Sequence, residues 1–143
     1  MSKVVYTAEA HVVGGRSDGH GETSDSALAV DLRLPSEMGG EGGGTNPEQL
    51  FAVGYAACFE GALGAVARRS KAEVGDVAID SKVALITAED RSFGLAVELH
   101  VTLPSVDDEA AAELVRAAHE VCPYSNATRG NVDVVLTANG KPA

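Results

Sequence analysis

The sequence is poor in large aromatic side chains and in positive charge. It has no Trp, three Phe and three Tyr in 143 residues, so small apolar side chains such as Ala and Val supply most of its core material. Side chains of this size build thin layers, and we expect a second chain to complete their burial. Lys and Arg number 11 against 21 Asp and Glu, which gives a formal net charge of −10. Phosphate backbones and anionic membrane surfaces repel such a chain, so neither nucleic acid nor a membrane is an expected partner.

Signals for export or membrane insertion are also lacking. The first residues have no apolar segment of the kind found in signal peptides, and they resemble a strand instead. The longest apolar stretch without a charge covers residues 49–59, whereas a membrane-spanning helix needs about 20 residues. We therefore expect a cytoplasmic protein. The length predicts a single domain over residues 1–143.

The spacing of apolar residues predicts an α+β fold. Alternation of apolar and polar residues indicates strands over residues 4–12, 28–34, 77–85, 95–103 and 132–136, and the third and fourth of these form a hairpin. Two helices interrupt the strands, which gives the order β-β-α-β-β-α-β. Because the strands come in runs rather than alternating strictly with helices, we expect mostly antiparallel sheets.

The two helices have different patterns. The first opens at residues 45–48, either with Asn46 as the cap and Pro47 as the first helical residue or with a capping box that Thr45 forms with Glu48, and it runs to about Arg68 or Arg69. It is apolar on almost every side, which predicts a long buried central helix. The second carries a single apolar stripe; Ser105, with Asp108 three residues on, caps its start, and Pro123 ends it.

Cys58 and Cys122 are the two cysteines of the chain. Cys58 lies in the middle of the first helix, where burial alone raises the pKa of a thiol, so it becomes reactive only if a cation lies nearby. Cys122 ends the apolar stripe of the second helix, at the negative helix end, which disfavours a thiolate. If the two act together, Cys58 is the better nucleophile and Cys122 the better partner. The alternative is a pair of unrelated buried thiols.

Other chemistries have less support in the sequence. The four histidines are scattered and there is no C-x-x-C motif, so we predict no metal site. A hydrolase that pairs Cys58 with His100 or His119 is possible in principle. Nothing in the local sequence supports it, and Cys122 would then have no task.

Two segments around the cysteines resemble one known family. Residues 43–59 read GGTNPEQLFAVGYAACF and residues 121–131 read VCPYSNATRGN. Both are similar to the cysteine motifs of the Ohr/OsmC family, and they favour its organic hydroperoxide resistance branch. The GGR stretch at residues 14–16 is similar to the arginine loop of that family. The resemblance covers essentially the whole chain, in order.

The resemblance implies an intertwined homodimer with thiol-dependent peroxidase activity. It assigns Cys58 as the cysteine that attacks the peroxide and Cys122 as the one that resolves the product. Arg16 is implied as the cation that keeps Cys58 a thiolate, and Glu48 as the residue that holds Arg16. It implies no cofactor and an external dithiol as reductant, typically a dihydrolipoyl group on a lipoylated protein. Two alternatives are a relative that prefers hydrogen peroxide and a non-catalytic thiol switch.

Four aromatic residues lie near the cysteines in sequence and are candidates for the substrate pocket: Phe51, Tyr55, Phe59 and Tyr124. An apolar pocket would favour alkyl or fatty-acid hydroperoxides over hydrogen peroxide, which has no apolar surface to bury. Their alternative role is plain packing in the core.

Glu48 and Cys58 are too far apart along the first helix to share a site. Ten residues separate them, which is about 15 Å of helical rise. Our hypothesis is that Arg16 and Glu48 of one subunit complete the site around Cys58 of the other.

Overall fold

The computed structural model describes residues 1–143 and divides them into two compact units, residues 1–50 and residues 51–143. Each unit contains a sheet. A long helix, α1 (Pro47–Arg69), begins in the last residues of the first unit, and most of it belongs to the second. The predicted α+β class is confirmed. The prediction of a single domain over residues 1–143 stays a prediction.

The first unit contains a three-stranded antiparallel sheet in the order β1 (Ala10–Val13), β2 (Asp18–Thr23), β3 (Ala29–Arg33). Strand β3 matches the predicted second strand. The predicted first strand begins at Ala10 rather than Val4, because pairing with β2 starts there. Val4 and Tyr6 are exposed and have no strand partner within the chain.

Strand β2 was not predicted from the sequence. Its residues, DGHGET, are polar and rich in glycine, which is typical of a turn. The segment forms a strand because it lies between β1 and β3 and bonds to both, with Gly21 opposite Val12 and Val30. The preceding turn needs Gly14, which has a φ of 77° and where a Cβ would meet the carbonyl oxygen of Asp18.

The bounds of α1 and its cap agree with the sequence. The side chain of Asn46 accepts a hydrogen bond from the backbone N–H of Gln49 at 2.9 Å, which selects the Asn46 cap over the capping box. Burial is one-sided within the single chain. The buried residues of α1 are Tyr55, Phe59, Ala62, Leu63, Val66 and Ala67, whereas Val53, Ala57 and Gly61 on another face are exposed. The composition of the helix predicted burial on every side. Within the single chain, one face is buried and another is exposed.

Helix α1 is long and apolar enough to cross a membrane when judged by length and composition alone. The core helix of a water-soluble protein passes the same test. Here one face of α1 packs into the core of the second unit, against β5 and the second long helix.

The second unit is built on a four-stranded sheet in the order β4 (Ala78–Thr87), β5 (Phe93–Thr102), β6 (Asp133–Ala138), β7 (Lys141–Pro142). Strands β4 and β5 form the predicted hairpin. Alternate residues of β5 are buried, namely Val97, Leu99 and Val101. Only the β5–β6 pair is parallel, so the sheets are mostly antiparallel, as predicted.

Two helices connect β5 to β6: α2 (Asp108–Val121) and α3 (Pro123–Thr128). The cap of α2 is Asp107, whose side chain accepts from the N–H of Ala110 at 2.9 Å. The predicted cap, Ser105, was wrong, because the carboxylate directly before the helix is both in reach and favoured by the helix dipole. Pro123 ends α2 as predicted, and it also begins α3, since a proline lacks only an N–H that the first turn does not use.

Candidate active site

The second unit brings the two cysteines together. Cys58 lies in the middle of α1, and Cys122 lies at the break between α2 and α3, with an extended backbone. Their sulfurs are 3.7 Å apart and both thiols are free. A disulfide has an S–S bond of about 2.05 Å, so the sulfurs must approach by about 1.7 Å to form one. The structure therefore places the two thiols in contact, with a small movement left to make a bond.

The surroundings of Cys58 disfavour its thiolate. Partial burial raises the pKa of the thiol above its ordinary value, and the neighbouring Cys122 raises it further. A hydrogen bond from the backbone N–H of Tyr124 acts in the opposite direction. None of these three influences comes from a cation. A nucleophilic thiolate at Cys58 therefore needs positive charge beyond what this surrounding supplies.

The first unit brings Arg16 and Glu48 together as an ion pair. The guanidinium of Arg16 donates from Nη2 to Oε1 of Glu48 at 2.9 Å and from Nη1 to Oε2 at 3.2 Å. This two-point geometry is the one that a planar guanidinium forms best with a carboxylate. Arg16 is held at the turn between β1 and β2, and Glu48 at the first turn of α1. Two of the five N–H donors of the guanidinium are used, so others remain for a further acceptor.

The pair is charged across the neutral range. The hydrogen bond from Arg16 lowers the pKa of Glu48, and the hydrogen bond to Glu48 raises the pKa of Arg16. A lowered carboxyl pKa stabilises the fold at neutral pH, and this contribution is lost as the pH falls through the folded-state pKa. The side chain of Arg16 is 36% exposed, so solvent screens the pair and its contribution to the free energy of unfolding is at most about 1 kcal/mol. Its geometry therefore matters more for placing a cation than for stability.

Three aromatic rings from α1 and α3 pack against one another. The ring centroids of Phe51, Tyr55 and Tyr124 are 5.7 to 5.8 Å from one another. A cavity of about 320 Å³ adjoins two of these rings, and its lining consists of Phe51, Leu95, Tyr124, Ala127, Thr128 and Val132. Apolar side chains dominate this lining, which is typical of small-molecule pockets.

Tyr55 and Phe59 differ from the sequence-based expectation. Both are fully buried in the core of the second unit, and neither lines the cavity. Proximity in sequence to the cysteines selected them together with Phe51 and Tyr124, but the turn of the helix points them toward the core. Leu95 and Val132 were missed, because the sheet and the end of α3 bring them to the cavity from distant parts of the chain.

A buried group of polar side chains lies next to the aromatic cluster. The hydroxyl of Ser125 is 2.8 Å from the hydroxyl of Tyr55 and 2.8 Å from Nδ1 of His119. The hydroxyl of Tyr55 also lies 3.1 Å from that of Thr128. Burial lowers the pKa of His119, with a smaller effect from Arg129. Sequence reasoning named Tyr55 and His119 but did not find that they join this network.

Comparison with known proteins places the chain in a family. The family model of OsmC-like proteins matches residues 40–137. The chain belongs to the OsmC-like family. This OsmC-like chain is 55% identical to an organic hydroperoxide resistance protein of Xanthomonas axonopodis pv. citri, over 94% of this chain and 95% of that one. It is 49% identical to the organic hydroperoxide resistance protein OhrB of Bacillus subtilis, over 92% and 96% of the two chains.

A solved structure agrees with these matches. The crystal structure of an organic hydroperoxide resistance protein from Legionella pneumophila superposes with a TM-score of 0.91 at 52% identity, covering 95% of this OsmC-like chain and 98% of that one. The family resemblance of the cysteine motifs and the α+β fold are both confirmed.

Proposed function

We propose that this OsmC-like protein is a thiol-dependent peroxidase that reduces organic hydroperoxides to alcohols and so detoxifies them. The observation that carries the proposal is the contact of the Cys58 and Cys122 sulfurs at 3.7 Å. Tyr124 links them to the apolar cavity, since its ring lines the cavity and its backbone N–H lowers the pKa of the Cys58 thiol. Relatives at 49% to 55% identity are named organic hydroperoxide resistance proteins, which supports the substrate class.

The first step is an attack by the thiolate of Cys58 on the distal oxygen of R–O–O–H. The O–O bond breaks, the R–O⁻ fragment takes up a proton and leaves as R–O–H, and the sulfur is oxidised to a sulfenic acid. In the second step the thiol of Cys122 attacks the sulfur of this sulfenic acid. The hydroxide leaves with the proton of Cys122 as water, and a Cys58–Cys122 disulfide forms.

An external dithiol completes the cycle by thiol–disulfide exchange. One thiolate of the dithiol attacks the disulfide, and its second thiol then displaces the protein, which leaves both cysteines reduced. We propose a dihydrolipoyl group on a lipoylated protein as this dithiol and the cytoplasm as the location. The dithiol supplies the two electrons that reduce the hydroperoxide, and the two cysteines carry them. The proposal therefore includes no metal, haem or flavin.

The experiment that tests the function compares substrates and reductants. Each buried carbon contributes about 0.8 kcal/mol, so burying the four carbons of a tert-butyl group predicts a kcat/KM for tert-butyl hydroperoxide about 200-fold above that for hydrogen peroxide. Turnover is expected with dihydrolipoamide and not with an equal concentration of a monothiol. Peroxide consumption is followed with both reductants. A kcat/KM ratio of one or less would instead favour a hydrogen-peroxide-preferring enzyme.

The protein is proposed to act as a homodimer whose sites are shared. Two observations support this arrangement. The influences on the pKa of Cys58 include no cation, and α1 runs unbroken from Glu48 to Cys58, which separates them by about 15 Å along the helix. In the proposed dimer, the Arg16–Glu48 pair of one subunit supplies the cation for Cys58 of the other and lowers the pKa of its thiol.

A mixed dimer tests the sharing. Chains with Cys58→Ser and chains with Glu48→Ala are unfolded together, refolded and assayed. Half of the randomly formed dimers are mixed and each mixed dimer has one intact centre, so about a quarter of the wild-type activity is expected. The control mixes Cys58→Ser with Cys122→Ser, both of which damage the same centre, and shows no such recovery. If the Glu48→Ala mixture also stays inactive, each subunit carries its own complete site.

A further inference from the structure

The buried hydroxyl of Ser125 takes no part in the proposed chemical steps at Cys58 and Cys122. It lies between the hydroxyl of Tyr55 and Nδ1 of His119, at 2.8 Å from each, and it is fully buried. Tyr55 in turn reaches the hydroxyl of Thr128 at 3.1 Å, and Thr128 donates to the backbone carbonyl of Ser125 at 3.2 Å. Every buried side-chain polar atom of the chain has a partner. Fully satisfied buried networks of this kind fix one arrangement of the elements they join.

The network and the cysteines join the same two parts of the second unit. Tyr55 precedes Cys58 by three residues on α1, so the two side chains lie on one helix face, about one turn apart. Ser125 follows Cys122 by three residues, in the first turns of α3. The hydroxyl contact between Tyr55 and Ser125 and the sulfur contact between Cys58 and Cys122 are therefore neighbouring contacts between α1 and the segment from Cys122 to Ser125.

The position of α3 also decides the surroundings of Cys58. The backbone N–H of Tyr124, which lies between Cys122 and Ser125 in the chain, lowers the pKa of the Cys58 thiol. A shift of this segment would change both that influence and the approach of the Cys122 sulfur. The segment joins α2 through the break at Cys122, where the backbone is extended, so no continuous helix holds it in place.

We propose that Ser125 is a positioning residue for the resolving step. Its hydroxyl, held by Tyr55 and His119, keeps the Cys122 segment against α1 so that the sulfur of Cys122 closes the last 1.7 Å toward oxidised Cys58. The inference rests on the proposed function, since it names the step that the network serves. In that step Cys122 loses its proton and an electron pair forms the S–S bond, while the hydroxyl of the sulfenic acid leaves as water.

The test compares two Ser→Ala variants. Ser125→Ala breaks the network, whereas Ser81→Ala removes a different hydroxyl that also bonds to α1, donating to the backbone carbonyl of Ala52 at 2.9 Å. One equivalent of tert-butyl hydroperoxide is added and the reaction is quenched rapidly with an alkylating agent. Alkylation measures the loss of both thiols, and the loss of the peroxide is measured separately in the same samples. A displacement of about 1 Å can slow a reaction about 100-fold, and we expect the ratio of disulfide formation to peroxide loss to fall at least about ten-fold in Ser125→Ala.

A second oxidant separates failure of this inference from failure of the proposed function. Diamide takes two electrons and two protons from the two thiols and closes the same disulfide without a peroxide. If wild-type protein consumes no hydroperoxide, the proposed function fails, and the diamide arm still compares the two variants. A rate of disulfide formation in Ser125→Ala within two-fold of that in Ser81→Ala, in either arm, would overturn the positioning role.

Folding of the variants is checked by circular dichroism. If Ser125→Ala does not fold, Tyr55→Phe removes the other half of the same contact and keeps the ring. The same ten-fold fall in the ratio is then expected, and a ratio like that of Ser81→Ala overturns the inference. A purely structural role would lower thermal stability in Ser125→Ala and Ser81→Ala alike and would leave the ratio unchanged.

Discussion

Replacing Cys58 with Ser is expected to lower peroxide turnover by at least about 1,000-fold, because a neutral hydroxyl is a far weaker nucleophile than a thiolate. Replacing Cys122 with Ser should have a different result. The Cys58 thiolate then still attacks one molecule of hydroperoxide, but no second thiol lies 3.7 Å away to resolve the sulfenic acid. The variant consumes one equivalent and stalls.

The two variants are compared at known protein concentration with tert-butyl hydroperoxide. Peroxide loss is measured against time, and a sulfenic-acid-specific trap detects the stalled product by intact mass. The Cys122→Ser protein should gain the mass of one trap molecule, and the Cys58→Ser protein none. Consumption of one equivalent of peroxide by both variants would contradict the assigned roles. So would a trapped sulfenic acid at Cys122 in the Cys58→Ser protein.

Phe59→Ala is expected to lower the free energy of unfolding by about 3–5 kcal/mol. The ring of Phe59 is fully buried in the core of the second unit, so its removal leaves a cavity among residues that cannot close around it. For a chain of this length the melting temperature should fall by about 10 °C. Thermal and urea unfolding followed by circular dichroism measure both quantities.

A matched control is available on the surface. Phe93 lies at the start of β5 and is 69% exposed, so Phe93→Ala should change the free energy of unfolding by no more than about 0.5 kcal/mol. Equal losses in the two variants would show that the burial of Phe59 does not decide stability. A Phe59→Ala protein with unchanged stability but altered preference among hydroperoxides would return Phe59 to the substrate pocket.

Periodicity was sufficient for the elements with strong and continuous patterns. It predicted α1, the β4–β5 hairpin and β6, and it offered the Asn46 cap as one of two choices. It failed for β2, whose polar and glycine-rich residues form a strand only because two neighbours pair with it. It also failed for α3, since six residues without an apolar repeat carry no helical signal of their own.

The site was predictable only in part, and from two sources. The helical stripe that ends at Cys122 and the apolar surroundings of Cys58 indicated two core-facing thiols, whereas the link of Arg16 to Glu48 came from the family resemblance. The Tyr55–Ser125 contact joins residues 70 positions apart through hydroxyls. Serine and tyrosine occur in so many settings that only the packing of α3 on α1 shows which of them meet.

The contact between the two cysteines joins positions that are 64 residues apart in the chain. A disulfide there would close a covalent ring that contains the residues of β4, β5 and α2, and the ring would persist when the protein unfolds. Closing a ring of this size removes chain entropy equivalent to about 4 kcal/mol at 25 °C in the loop-entropy model. In the proposed cycle, the free energy of unfolding would therefore be higher in the oxidised, disulfide-bonded state than in the reduced state. The protein would resist unfolding most directly after it has reduced a peroxide.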